Sequence, residues 1–125
     1  MKRLFLPIEL SLLAKEKGFD EPCFGLYLKQ GNFKLADYVG QEFVFNNDTI
    51  DEACTAPLYQ QIIDWFEEKH NIIILLHFMM GTNEWTYWIK KADGTIISSD
   101  IMISEAYGSK YKALDKGIEK AFKLI

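Results

Sequence analysis

The two histidines, His70 and His77, are the side chains of this chain best suited to move a proton near neutral pH. They stand seven residues apart, His70 closing a helical pattern and His77 interrupting an apolar run, so they share no metal-ligand spacing. His70 ends a helix, a place where a cation is mildly stabilising, and His77 reads as a hydrogen-bonded buried or edge histidine. No serine, threonine or cysteine is accompanied by a readable base and orienter, the arrangement that activates a nucleophile. Asp48, Asp51 and Glu52 bring three carboxylates together, but without the alternating oxygens and glycine bend of a calcium loop they read as solvated loop charge. Gly25, Gly31 and Gly40 make no phosphate-binding fingerprint. Cys23 and Cys54, 31 residues apart, form neither a metal motif nor a redox pair, and read as reduced core thiols, with a disulfide open only if the chain is exported. The expectation is a protein with no catalytic residue, no metal and no cofactor.

Binding is a different matter. Phe, Tyr and Trp make up 14% of 125 residues, more than a core of this size usually holds. Some of them should therefore reach a surface and favour self-association or a protein partner. Trp85, Tyr87 and Ile89 share one strand face and Trp88 the other, so Trp88 is the candidate for surface recognition. Tyr59 and Trp65, the latter near the edge of a helical stripe, complete the candidate binding set. A net charge of −4 argues against a general nucleic-acid binder, which needs a basic face. The charge is uneven, with 7 basic and 12 acidic side chains in residues 1–70 and 7 basic and 6 acidic in residues 71–125. Lys2 and Arg3 look like the start of a leader, but Pro7 and Glu9 break the apolar run that follows and no small-residue cleavage site appears. No stretch approaches the ~20 apolar residues of a membrane span. The expected compartment is the cytoplasm.

The elements that must position these residues follow from punctuation and period. Pro7 opens a short helix to Lys17, with Gly18 and Phe19 as its C-terminal signal. Cys23–Lys29 reads as a strand, residues 33–41 are ambiguous, Glu42–Asn46 reads as a short strand, and residues 47–54 as a loop. Thr55 is a natural N-cap for an amphipathic helix to His70, with Leu58, Tyr59, Ile62, Ile63 and Phe66 on its core face. With only Asn71 between, the chain enters Ile72–Met80, which lacks alternation and predicts a central strand covered on both faces. Glu84–Lys91 and Thr95–Ser99 follow as strands around Ala92, Asp93 and Gly94. A last helix covers roughly Ala106 to Leu124, with Lys110, Lys112 and Lys116 off its apolar seam.

The order α-β-β-α-β-β-β-α predicts one α+β domain over residues 1–125. In it, an antiparallel sheet of four to five strands carries helices on one face.

The segments GFDEPCFGLY at 18–27, APLYQQIIDWFEEKHNI at 56–72 and YKALDKGIEKAFKLI at 111–125 resemble a family of short uncharacterised proteins of bacterial and phage (prophage) genomes. That resemblance implies a small cytoplasmic accessory protein and transfers no site. A second resemblance lies in residues 56–125, whose helix, three strands and helix follow the order of double-stranded-RNA-binding domains, with Ser109, Lys110 and Ala113 matching the start of their last helix. It implies a nucleic-acid surface at Lys110, Lys112 and Lys116. Tyr111 and Leu114 stand where further lysines belong, and Asp64, Glu67 and Glu68 make the first helix acidic. The leading expectation is a non-catalytic module that binds protein, including itself. The alternatives are an RNA binder and a small hydrolase or ligand-binding protein with a site built from the 33–55 region and His77.

Overall fold

Pro7 cannot donate a backbone hydrogen bond, and the first helix starts immediately after it: α1 spans Ile8–Glu16. The computed structural model describes residues 4–49, 53–91, 93–99 and 107–125. Contacts divide the chain into two compact units, Met1–Ile62 and Ile63–Ile125.

In the first unit the strands are β1 (Gly25–Tyr27), β2 (Phe33–Leu35) and β3 (Cys54–Ala56). They form an antiparallel sheet in the order β2-β1-β3. The register sets Leu26 opposite Lys34 on one side and opposite Thr55 on the other. Thr55 therefore does not cap a helix. Its residue is buried in β3, its backbone N–H is accepted by the Asn46 side chain, and α2 (Tyr59–His70) begins four residues later. The expected strand at Glu42–Asn46 is reduced to one bridge, in which Cys23 and Val44 exchange backbone hydrogen bonds of 2.9 Å each. A short 3-10 turn, Asn46–Asp48, follows it. Phe5, Tyr27, Cys54 and Ala56 form a core cluster here, with Ile8, Phe33 and Leu58 packed against it. Gly25 is required at its centre, because a Cβ there would stand 2.8 Å from the Phe33 ring and 3.1 Å from Phe5.

The second unit contains β4 (Ile72–Met79), β5 (Glu84–Lys91), β6 (Ile96–Ser99) and α3 (Lys110–Phe122). The three strands form the expected antiparallel meander, in the order β4-β5-β6. The protein is thus α+β with antiparallel sheets, but the described residues form two three-stranded sheets in place of one of four to five strands. β4 is not central either. It lies at an edge of its sheet, and β5 holds the middle, because two successive tight turns place the second strand between its neighbours. The hairpin between β5 and β6 is closed by a 2.8 Å bond from Lys91 N–H to the Thr95 carbonyl and by Asp93, whose carboxylate accepts from Thr95 N–H at 2.9 Å.

Ser109 caps α3, its hydroxyl accepting from Tyr111 N–H. The buried face of α3 is Ala113, Leu114, Gly117, Ile118, Ala121 and Phe122, wider than a simple seam because small residues flank the large ones. This face packs on β5 and β4. The expected helix start at Ala106, the carboxylates of Asp51 and Glu52, the turn residue Ala92, and Lys2 and Arg3 lie outside the described residues.

Candidate functional site

Residues 39–49 and Ala53, read from sequence as ambiguous chain, a short strand and a loop, join β1 in the walls of a cleft of about 440 Å³ within the first unit. Leu26, Leu28 and Lys29 supply the wall from β1 and its end. Val39 and Gln41 come from the segment that leaves the short 3-10 helix Ala36–Val39. Phe43, Val44 and Phe45 form the extended wall, and Asp48, Thr49 and Ala53 close the remaining side. The volume and the mix of apolar surface with a few polar groups are those of a binding pocket.

Each wall is held by identifiable bonds. The first is tied to the Ala36–Val39 turn, where Ala36 N–H donates to the Phe24 carbonyl at 2.7 Å. The second is held by the Cys23–Val44 bridge and by the Phe24 and Phe43 rings, whose centroids lie 5.1 Å apart. The third depends on Asn46. This residue is buried; its Nδ2 donates to the Phe19 carbonyl at 2.7 Å, its Oδ1 accepts from Thr55 N–H at 2.9 Å, and its carbonyl accepts from the Thr49 hydroxyl at 2.8 Å. Asn47 extends the anchorage, since both its backbone N–H and its side chain donate to the Asp20 carboxylate. A buried amide with all these partners fixes one geometry, because leaving any of the groups unpaired would cost about 1–3 kcal/mol.

The rim of the cleft is apolar and open to solvent. Phe43 is 40% exposed, Val39 44% and the neighbouring Tyr38 62%. Phe45, Leu35 and Phe24 add to the same exposed set. Lys34 places its ammonium 4.7 Å from the Tyr38 ring centre, a cation–π contact that holds Tyr38 while leaving it accessible. Two charges, Lys29 and Asp48, belong to the lining.

The chain matches no family model, no curated protein and no solved structure. The geometry alone therefore carries the functional argument, and the sequence likenesses noted above remain expectations.

The candidates singled out from sequence fall elsewhere. Trp65 is 4% exposed and packs against Phe66, His70 and Phe122, at ring separations of 5.2, 4.8 and 6.4 Å. It is a core residue of the second unit, because its side of α2 is the one turned inward, and it is withdrawn as a surface anchor. Tyr59 is half-buried at the first turn of α2. Trp88 is half-buried on the sheet face opposite Tyr87 and Ile89, as the alternation of the strand requires. Lys90 lies 4.9 Å over its ring and His77 6.1 Å away, while its Nε1 is buried without an acceptor among the described residues. His77 is exposed on β4 and lines no part of the cleft, all of whose residues belong to the first unit.

Lys110, Lys112 and Lys116 are all exposed. They do not converge. At about 100° per residue, Lys112 and Lys116 share one side of α3, whereas Lys110 lies roughly 160° around from Lys112. Lys110 sits 5.3 Å from the Tyr111 ring, and Lys116 is 4.0 Å from Glu119.

Cys23 and Cys54 are buried and free. The register explains why they do not join: Cys54 faces Tyr27, and Cys23 is four residues earlier, about 13 Å along the strand. Burial pushes both thiols up to about 11. At Cys23 the nearby Glu21 carboxylate adds to that rise, while the Sγ sits 3.4 Å from the Glu21 carbonyl and 3.8 Å from Gln61 Oε1. Such thiols are poor nucleophiles. Among the described residues no group of three His, Cys, Asp or Glu side chains is placed to hold a metal ion, and no helix is long and apolar enough to cross a membrane.

Sequence reasoning placed a ligand site in the 33–55 region only as an alternative and joined it to His77, which the cleft does not include; it missed the β1 wall because the walls are made of segments without a period. The one available signal was composition: Leu35, Tyr38, Val39, Phe43 and Phe45 fall within eleven residues that form no long element.

Proposed function

We propose that the protein is a non-catalytic binding module that captures an apolar side chain or short apolar segment of a protein partner in the first-unit cleft. The observation that carries this reading is the coincidence of the cleft with the exposed apolar side chains of Val39, Phe43 and Phe45, which line it. Exposed aromatics around a concave apolar surface are where protein interfaces concentrate their binding energy. Lys29 and Asp48 supply opposite charges to orient what enters. The likeness of residues 18–27, 56–72 and 111–125 to short bacterial and phage proteins fits a small accessory role, and two free thiols fit the cytoplasm.

A random-peptide display library panned on the folded protein tests the proposal. Peptides with apolar anchors are expected to enrich, and to lose at least tenfold in affinity for Val39→Asp and Phe43→Asp at unchanged circular dichroism. Enrichment that is absent, or indifferent to both substitutions, rejects it.

A further inference from the structure

Sheet edges expose a row of unpaired backbone donors and acceptors, and proteins usually blunt them with charge, proline, bulges or short length. The second unit treats its two edges differently. The β6 edge is short, four residues, and follows a register break between Ile89 and Lys90. The β4 edge has none of these protections. It is eight residues long, pairs with β5 from Ile72↔Lys91 to Met79↔Glu84 without a bulge, and its sequence IIILLHFM holds no proline and no Asp, Glu, Lys or Arg. Its exposed apolar surface runs from Leu75 toward the β4–β5 turn: Leu75 is 43% and Phe78 41% exposed, and Met80 just beyond is 83% exposed. Leu75 and Phe78 stand on opposite faces of the strand, so a helix laid over one face would leave the other bare. A strand added alongside covers part of both.

We infer that β4 is a homodimerisation edge: two copies of the chain pair their β4 strands antiparallel across a two-fold axis, joining two three-stranded sheets into one of six strands. A second copy is the occupant that the edge's own chemistry specifies. With no Asp, Glu, Lys or Arg on the strand, self-pairing sets no carboxylate, ammonium or guanidinium against its like, and antiparallel addition about a dyad is isologous, so one surface serves both partners. The stretch from Leu75 to Met79 fixes the register. With the axis at His77, Leu75 lies opposite the partner strand's Met79 position, Leu76 opposite its Phe78 position, and His77 opposite its own copy. Apolar residues then face apolar residues, and Leu75 and Phe78 leave water together. This surface is independent of the first-unit cleft, so the two proposals stand or fall separately.

Sedimentation equilibrium of the full chain, from low micromolar to millimolar, tests the inference together with register-specific cross-linking. The expected result is a reversible dimer whose dissociation constant rises at least tenfold in Leu75→Lys, a change at a solvent-facing position that keeps the circular dichroism spectrum. Residues directly opposite in an antiparallel pair have Cα atoms about 4.5–5.5 Å apart, within disulfide reach. His77→Cys is therefore expected to form a covalent dimer on mild oxidation, and Glu68→Cys, exposed on α2, is not. A monomer over the whole range overturns the inference. So does a dimer that is indifferent to Leu75→Lys and that His77→Cys cross-links no better than Glu68→Cys, since the copies would then meet elsewhere.

Discussion

The side-chain oxygen of Asn46 accepts the backbone N–H of Thr55 at 2.9 Å, joining a 3-10 turn to β3 across nine residues of chain. Thr55 is fully buried and Asn46 only 4% exposed, so no water stands ready to replace either group. The same amide holds the Phe19 carbonyl. One asparagine thus decides where the wall carrying Phe45, Asp48 and Thr49 is placed.

Removing that amide should be costly. Asn46→Ala removes the bond that the Phe19 carbonyl accepts and leaves the buried Thr55 N–H without its acceptor, at about 1–3 kcal/mol for that orphaned donor. Urea unfolding of Asn46→Ala against wild type measures the loss. A change below about 0.5 kcal/mol, the range of ordinary surface substitutions, would show that the amide does not hold the wall.

Gly117 lets α3 approach β5. A Cβ there would lie 3.0 Å from Tyr87 Cγ and 3.2 Å from its Cβ, and Tyr87 is itself buried, with little room to move. Gly117→Val adds bulk against that ring and is expected to destabilise by about 1–3 kcal/mol despite the better backbone restriction of a non-glycine residue. Thermal unfolding followed in the near-ultraviolet checks this, and an unchanged or raised midpoint refutes it.

The buried thiols make stability fall in alkali. Both ionise at about 11 in the folded chain against 9.0 when exposed. Between those values the unfolded chain has lost its thiol protons while the native one keeps them, so rising pH favours unfolding. The contribution is fully present below about pH 9 and is lost as pH climbs through about 11. The double variant Cys23→Ala, Cys54→Ala should show a shallower decline over that window in denaturant titrations. Equal slopes for the two proteins would contradict the assignment. A thiol reagent at neutral pH should leave both cysteines unmodified until the chain unfolds.

What the sequence determined by itself is local. Pro7 marks the start of α1 and the 3.6-residue pattern places α2 and α3. Asn71, whose φ of 56° is left-handed backbone that asparagine tolerates, ends α2 at the residue where the pattern does. The meander of β4, β5 and β6 and the split of Trp88 from Tyr87 and Ile89 follow from tight turns and from the two-residue period of a strand. These features depend on neighbours within a few residues, and the sequence displays those neighbours directly.

Tertiary structure decided the rest. β3 exists because Thr55 finds Leu26 across the sheet and Asn46 in the loop, partners that outweigh its N-cap chemistry. An apolar run such as Ile72–Met80 looks the same whether it ends up in the middle of a sheet or at an edge, since hydrophobicity alone does not specify how many strands lie alongside. Whether Trp65 or Tyr38 meets solvent depended on which side of each segment the rest of the unit covered. The cleft is the sharpest case. Its lining comes from residues 26–53 and is assembled by pairings between distant segments, which have no period and leave no trace in a one-dimensional pattern.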